Sequence, residues 1–250
     1  MRRAVPAFLL LLAAVACGGE PEPAAAPQPV VAPSASPTVA ARSSMPSGNP
    51  SPTAEPAREA FEGSVGVIDA GTRARMTSSW RPDCPVPLEE LRILRLRHRG
   101  FDGKTHAGEL VVHEDHAGAV LGVFETLFEA RFPIRRMVLV DVYGGDDVRS
   151  MAANNSSGFN CRRSASGSGE WSQHSFGLAV DINPIQNPYV SSGGAIEPPA
   201  GERYADRSVI ARGLIRSNDV VVKAFARIGW EWGGYWTSSK DYQHFSSNGR

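Results

Sequence analysis

The feature that most constrains the fold of this chain is a proline-rich stretch over residues 18–57. Ten of the 19 prolines in the 250-residue sequence fall there, among alanines, serines and few large apolar side chains. Such a segment cannot bury enough apolar surface to offset its chain entropy, so we predict an extended, disordered linker. The fold must therefore be built from residues 58–250, a length that suits one domain with a hydrophobic core.

The first 17 residues have the pattern of an export signal. Arg2 and Arg3 precede an apolar run over 7–16 that ends in small residues. The run is too short for a permanent transmembrane helix, which needs about 20 apolar residues. The residues before Cys17 resemble a bacterial lipoprotein box, although Ala14 stands where leucine is more usual, and they predict lipidation of Cys17. The alternative is ordinary signal cleavage with Cys17 left as a free thiol. We expect the protein on the outer side of the cytoplasmic membrane as a lipoprotein, or otherwise secreted.

Charge and cysteine content narrow the class of function. The 26 basic and 26 acidic residues cancel, which argues against a nucleic-acid binder that depends on an overall positive field. Two cysteines other than Cys17 remain, Cys84 and Cys161, and such a pair is commonly bridged in an exported protein. We predict a disulfide between them. Thiolate ligation of a metal is the weaker alternative, because neither cysteine lies in a closely spaced pair.

Apolar periodicity predicts a mixed α+β domain around a small sheet with flanking helices. Residues 91–97 alternate between apolar and basic side chains, as in a half-exposed strand, and we interpret their arginines as solvent-facing. A spacing near 3.6 predicts one amphipathic helix from Asp115 to a point before Pro133, and a second over 221–228 that ends near Gly229. Further strands are predicted over the apolar runs 108–112, 137–143 and 178–182.

Residues able to bind a metal and support hydrolysis are concentrated in the last third of the chain. His174 lies on a polar turn, whereas Asp181 lies inside an apolar strand, where an unpaired carboxylate is costly to bury. With His244 they offer two imidazoles and one carboxylate, which suit zinc with one coordination position open, the pattern of a catalytic site. Asp241 is a candidate general base, with Glu231 as its rival. Spacing alone leaves open that all of these are ordinary polar residues.

Three motifs together make the sequence resemble a known peptidase family. They are S-x-H-x-x-G-x-A-x-D-I at 172–182, W-G-G-x-W at 232–236 and D-x-x-H-F at 241–245. The combination resembles the D-alanyl-D-alanine carboxypeptidase and L-alanyl-D-glutamate peptidase family of zinc peptidases, which act on the stem peptides of bacterial cell walls. The resemblance covers most of 84–246. It implies a hedgehog-like α+β fold with a small, mainly antiparallel sheet, and one zinc ion per chain.

The resemblance also implies roles for individual residues. The implied zinc ligands are His174, Asp181 and His244. Asp241 is the implied general base. An arginine upstream of the first histidine is expected to bind the substrate and polarise its carbonyl; Arg162 is the first candidate and Arg149 the second. Trp232 and Trp236, either side of two glycines, are expected to form a rigid aromatic wall against the substrate.

Three functions follow as hypotheses from these residues. The first is D-alanyl-D-alanine carboxypeptidase action on peptidoglycan stem peptides. The second is L-alanyl-D-glutamate endopeptidase action, since endopeptidase members can carry aspartate at the base position where many carboxypeptidases carry glutamate. The third is a wall-binding module without catalysis, which would have no need of Asp241. We expect a monomer that contacts the membrane only through its lipid anchor and binds no nucleic acid.

Overall fold

The computed structural model describes residues 59–164 and 169–250, and the predicted signal, linker and Cys17 lie outside them. The predicted α+β class is confirmed. Among the described residues, no helix is both long and apolar enough to cross a bilayer. The helices are α1 (Ala70–Arg75), α2 (Glu114–Glu129), α3 (Asp147–Ala152), α4 (Glu202–Ala205) and α5 (Val220–Arg227). The strands are β1 (Gly63–Val67), β2 (Leu91–Arg99), β3 (Thr105–His113), β4 (Ala179–Asp181), β5 (Tyr189–Val190), β6 (Ile196–Glu197), β7 (Glu231–Trp232), β8 (Lys240–Asp241) and β9 (His244–Ser246).

The largest sheet consists of β1, β2 and β3 in that order, all antiparallel. Leu94 and Leu96 of β2 are buried against helix α2, whereas Arg95 and Arg97 are exposed. Arg95 pairs with Glu109 at 3.4 Å, and the other exposed arginine pairs with an acidic residue next to β1. The prediction that these arginines face solvent is confirmed by their exposure. Each also pairs with a carboxylate on the outer face of the sheet.

Helix α2 packs its apolar face on this sheet and on helix α5. It begins at Glu114, one residue before the predicted start, because the His113 side chain accepts a hydrogen bond from the backbone N–H of Asp115. Phe124 on α2 and Phe225 on α5 are fully buried in the same core cluster. Each such side chain contributes about 2 kcal/mol through burial of apolar surface. Both predicted helices are therefore confirmed, and together they form the core behind the site described below.

The predicted strand over 137–143 is not formed. Its first residues are extended, but Val140–Tyr143 form a 3₁₀ turn. The reason is that a side chain replaces the neighbouring strand: the Asn155 amide accepts from the Val138 N–H at 2.9 Å and donates to the Val138 carbonyl at 3.0 Å. The chain then turns through Gly144, which has a left-handed φ of 72°. A continuous apolar run satisfies core packing in either conformation, so it does not specify a strand.

Two smaller three-stranded sheets lie in the C-terminal third of the chain. One has the order β4-β9-β7 and the other the order β6-β5-β8, and all their pairings are antiparallel. Phe245 of β9 stacks on Phe225 at a centroid distance of 4.2 Å. This contact fixes the first small sheet to the core, and with it the residues at either end of β9.

Cys84 and Cys161 form a disulfide with a Cα–Cα distance of 5.8 Å. The bridge closes a long loop and holds the start of the segment that contains Arg162. We expect replacement of both cysteines by alanine to lower the free energy of unfolding by about 2–4 kcal/mol, because the unfolded chain gains conformational freedom. Urea denaturation of the double variant would measure this change. Reduction of the wild-type protein should reproduce it, and equal stability of the oxidised and reduced forms would contradict the prediction.

Candidate metal and active site

His174 is held on a single 3₁₀ turn, Gln173–Phe176. The Ser172 hydroxyl accepts a hydrogen bond from the His174 backbone N–H at 3.3 Å and caps the turn. Gly177 ends it with a left-handed φ of 67°, and a Cβ there would lie 2.5 Å from the backbone nitrogen of His113. A glycine is therefore required for the turn to sit against β3, and this packing directs the His174 side chain inward, where it is 2% exposed.

Asp181 and His244 come together because their strands pair. The register of β4 and β9 places them directly opposite each other, so their side chains extend from the same face. His174 Nε2 lies 3.1 Å from Asp181 Oδ2, and His244 Nδ1 lies 3.0 Å from Asp181 Oδ1. The two histidine nitrogens are 3.3 Å apart. The three side chains that the sequence predicted as metal ligands thus converge, although His174 and His244 are 70 residues apart in the sequence.

The triad is the one group of three or more potential metal ligands within residues 59–164 and 169–250 whose donor atoms converge this closely, all lying within 4.8 Å of one another. Burial opposes ionisation of Asp181, but the charge and hydrogen bonds of His174 and His244 outweigh burial and hold the pKa of this carboxyl well below its usual range. The cluster therefore presents a carboxylate at neutral pH, which is the form a metal requires.

Each histidine is oriented from its other ring nitrogen. His174 Nδ1 lies 2.6 Å from the Gly158 carbonyl oxygen, and His244 Nε2 lies 3.0 Å from the Arg250 carbonyl oxygen. A carbonyl can only accept, so each of these two nitrogens carries a proton. His174 Nε2 and His244 Nδ1 are left to donate to Asp181 in the metal-free protein or, without their protons, to ligate a metal. Such outer hydrogen bonds are typical of histidines that ligate zinc. Two nitrogens and one carboxylate, oriented in this way, fit zinc.

Gly158 provides a test of this outer support. A Cβ at this position would overlap the backbone carbonyl oxygen of Val111 in β3. We expect Gly158→Ala to push the carbonyl at residue 158 away from His174 and to weaken zinc binding by about 10–100-fold. Competition with a zinc chelator would measure the change. The matched control is Gly118→Ala on α2, where an added Cβ meets nothing within 4 Å; equal zinc affinity of the two variants would contradict the prediction.

Asp241 lies at the end of β8, beside the triad. The residue as a whole is half-buried, but its Oδ1 is shielded from solvent and has no hydrogen-bond partner among the described residues. Burial raises the pKa of the Asp241 carboxyl to about 7, although His244 acts in the opposite direction. Gly233 makes this position possible, because a Cβ there would lie 2.6 Å from the Asp241 carbonyl oxygen. A carboxyl that titrates near neutrality, with an unpartnered oxygen, has the properties of a general base.

The triad and Asp241 line a cleft of about 1300 Å³. Arg162 also lines it, with Nη2 2.9 Å from Asp147 Oδ2. The Arg162 Nε is buried and has no partner in the part of the chain that the structure describes. Trp236 lines the same cleft, and its ring centroid lies 5.7 Å from that of His244. Two of the predicted substrate contacts, Arg162 and Trp236, are therefore next to the candidate metal ligands.

The structure places two other predicted substrate contacts outside the cleft. Arg149 is exposed on α3 and does not belong to the cleft lining. Trp232 is 4% exposed, packs in the core cluster, and donates from Nε1 to the Tyr242 carbonyl at 2.9 Å. The physical reason is its strand position: in β7, residue 232 faces inward while its neighbour Glu231 is exposed. Glu231, the rival base, is likewise absent from the cleft lining.

Sequence reasoning missed several residues that complete the site. Gly158 orients His174, Asp147 holds Arg162, and Tyr189 and Glu197 form part of the cleft wall. The last two lie on β5 and β6, which have two residues each. Strands of that length carry no periodic signal, so the pairing of β5 with β6 and with β8 was not predictable.

The pKa shifts predict that the stability of the metal-free protein and its affinity for zinc change in opposite directions as pH rises. In the metal-free protein burial raises the pKa of Asp241 from 3.8 to about 7. Burial opposes protonation of His244, but the hydrogen bond and charge of Asp181 outweigh it and raise the pKa of His244 above 6.5. Both groups hold protons more tightly when folded, so stability should fall as pH rises from about 4 through neutrality. Zinc competes with those protons, so its apparent affinity should rise over the same range.

Urea denaturation at about pH 5 and about pH 8, in chelator and in zinc, checks this prediction. The stability gained on adding zinc should be larger at the higher pH. A zinc-induced gain that is the same at both pH values would contradict the assignment of these titrating groups to the metal site. Asp181 does not contribute to the change between these two pH values. Its pKa is lowered in the folded protein, so the stability it provides is lost only at more acidic pH.

Comparison with known proteins finds a similarity in the C-terminal part of the chain. Residues 166–247 match a family model described as D-alanyl-D-alanine carboxypeptidase. The matched segment contains the triad and Asp241, and it ends before Arg250. No curated protein and no solved structure matches the chain. Over residues 166–247, the chain is therefore similar to peptidases of the D-alanyl-D-alanine carboxypeptidase family.

Proposed function

We propose that this protein is a zinc-dependent peptidase that hydrolyses peptide bonds in peptidoglycan stem peptides, with D-alanyl-D-alanine carboxypeptidase action as the leading assignment. The observation that carries the proposal is the convergence of His174, Asp181 and His244 beside Asp241, whose Oδ1 has no hydrogen-bond partner among the described residues, in a cleft large enough for a peptide. The family match supports peptide hydrolysis as the reaction. We extend the proposal to a hedgehog-like fold for the domain.

The triad would hold the zinc through His174 Nε2, a carboxylate oxygen of Asp181 and His244 Nδ1. Zinc in a site of this kind supplies Lewis acidity, which polarises a peptide carbonyl and makes water more acidic. The protein contributes orientation, since the Gly158 and Arg250 carbonyls hold the imidazoles and β4–β9 pairing holds Asp181. These partners remove the need for the ligands to reorganise when substrate binds.

Asp241 would take the proton of the attacking water and transfer it to the leaving amine. Burial raises the pKa of this carboxyl in the metal-free protein, and a raised pKa makes its carboxylate a stronger proton acceptor. Its buried Oδ1 has no competing hydrogen-bond donor among the described residues. This oxygen is therefore available to accept a hydrogen bond from the water.

Arg162 would bind the substrate at an acceptor group close to the scissile bond. Its guanidinium is fixed by Asp147 at one nitrogen, and its buried Nε has no acceptor within the described residues. A carboxylate or carbonyl oxygen of the substrate would satisfy that donor, and a guanidinium can bind a carboxylate through two hydrogen bonds. Trp236 provides an aromatic surface on the same cleft.

Digestion of defined muropeptides with the zinc-loaded protein tests the proposal. Carboxypeptidase action releases one alanine from the end of the stem, whereas L-alanyl-D-glutamate endopeptidase action separates the stem from its muramyl alanine. Mass spectrometry distinguishes the two products. Binding to cell walls without any product would instead support the non-catalytic wall-binding module, and would contradict the role given to Asp241.

The location is proposed from the sequence alone. We propose that the chain is exported, lipidated at Cys17 and tethered by residues 18–57 at the outer side of the cytoplasmic membrane, where its peptidoglycan substrate lies. We also propose that it acts as a monomer. Metabolic labelling with a fatty acid would detect the lipid, and Cys17→Ser should abolish the label and release the protein from the membrane fraction.

A further inference from the structure

Three residues of the third sheet form a row across the wall of the cleft. The register pairs Tyr189 of β5 with Glu197 of β6 on one side and with Asp241 of β8 on the other. Residues that are directly opposite in neighbouring strands extend from the same face of a sheet. All three residues line the cleft, so the row places Glu197 on the same surface as the general base.

Most carboxylates of the cleft already have a role or a partner. Asp147 pairs with Arg162, Asp181 lies between the two histidines, and Asp241 is the candidate base. Glu170 is engaged in interactions of its own. Glu197 differs: it is exposed, and its side chain has no ion pair or hydrogen bond with any residue in 59–164 or 169–250.

The nearest cation on the same sheet does not neutralise Glu197. Lys240 of β8 is opposite Val190, one residue along β5 from Tyr189, so its side chain starts from the other face. Its ammonium donates hydrogen bonds to the backbone carbonyls of Gly234 and Trp236. The Glu197 carboxylate therefore has no cation paired with it on this sheet, and it can attract a cation carried by the substrate.

The distance between Glu197 and Asp241 limits how far from the scissile bond the cation of the substrate can lie. Two strand spacings separate Glu197 from Asp241, or about 10 Å. An extended peptide advances about 3.3 Å per residue, so a long side chain within about two residues of the scissile bond reaches Glu197. The Tyr189 ring lies between the two carboxylates in the row and offers an apolar surface to the methylene groups of such a side chain.

We propose that Glu197 binds a primary ammonium group on a substrate side chain within about two residues of the scissile bond, so that the cleft selects stem peptides that carry an amine-bearing residue. This inference rests on the proposed function, because it identifies the substrate class of the same cleft. The interaction is solvent-exposed, so we expect a modest preference that weakens at high ionic strength.

The test compares two Nα-acetylated stem pentapeptides, L-Ala-γ-D-Glu-L-Lys-D-Ala-D-Ala with the lysine amine free or acetylated. Both candidate scissile bonds are present in these peptides. With the zinc-loaded full chain at low salt, we expect kcat/KM to favour the free amine by about fivefold. Glu197→Gln should bring this ratio close to one, and Glu197→Lys should reverse it. The matched control, Glu202→Gln, replaces an exposed carboxylate outside the cleft lining and should keep the ratio.

Equilibrium binding of the same two peptides separates this inference from the proposed function. If no variant hydrolyses either peptide but Glu197→Gln removes a preference for binding the free amine, the ammonium site stands and the catalytic assignment fails. If the wild type hydrolyses both peptides equally, or Glu197→Gln retains the preference, the ammonium site is overturned while catalysis stands. Absence of both hydrolysis and binding overturns both.

Discussion

Replacing Asp241 with asparagine is expected to abolish hydrolysis and to leave zinc binding intact. The amide has nearly the same shape but cannot accept the proton of the attacking water. Loss of a general base lowers the rate by about 10²–10⁴-fold. The effect should appear in kcat, because the proton transfer belongs to the chemical step rather than to substrate binding. Steady-state kinetics on a muropeptide, with zinc content measured on the same sample, would test both halves of the prediction.

The stability of this variant provides a second readout. Burial makes the ionised form of Asp241 unfavourable in the metal-free protein, so a neutral amide should not destabilise the fold. Asp115→Asn is the matched control, since Asp115 is exposed at the start of α2 and remote from the cleft lining. If Asp241→Asn keeps wild-type kcat, Asp241 is not the base. If it loses zinc, its role is structural support of the metal site.

The second large effect is expected for Asp181→Ala. This carboxylate accepts from both histidines, so its removal leaves two buried imidazoles without their shared partner. Breaking such a buried charged cluster lowers the free energy of unfolding by about 3 kcal/mol. Zinc affinity should fall by more than about 100-fold, because loss of an outer hydrogen bond alone reduces affinity by about 10–100-fold. Calorimetric zinc titration and urea denaturation measure the two consequences.

Asp181→Asn distinguishes metal ligation from packing. The amide fills the same volume and retains hydrogen-bonding capacity, so we expect a smaller loss of stability than for alanine. It removes the negative charge, so we still expect weak zinc binding and no hydrolysis. An Asp181→Asn variant with wild-type zinc affinity would show that the carboxylate serves the fold rather than the metal. The pair Asp181→Asn and Asp241→Asn should therefore lose activity for different reasons, one without zinc and one with it.

The sequence predicted those parts of the molecule whose structure depends on residues close together in the chain. The helices around Phe124 and Phe225 were predictable because their apolar spacing repeats over several turns. The ligand positions were found because Asp181 interrupts an apolar strand and the flanking motifs resemble a peptidase family. The convergence of Asp181 and His244 depends on β4–β9 pairing, which periodicity does not specify.

The predictions that were wrong share a physical origin. Each depended on residues distant in the sequence, which supply backbone hydrogen bonds or bury a side chain in the core. Residues 137–143 were predicted as a strand, but the Asn155 amide provides the hydrogen bonds that a partner strand would have supplied. Trp232 was expected in the cleft, but the inward-facing position of β7 buries it. Of the two candidate arginines, Arg162, the first choice, lines the cleft, whereas Arg149, the second, is exposed on α3.

We propose that three side chains distant in sequence form one zinc site. An anomalous difference map at the zinc edge, from crystals of the zinc-loaded protein, would show the ion and its ligands. We expect one peak per chain, about 2.0–2.2 Å from His174 Nε2, an Asp181 carboxylate oxygen and His244 Nδ1. A peak at other residues, or no peak at the triad under saturating zinc, would contradict it.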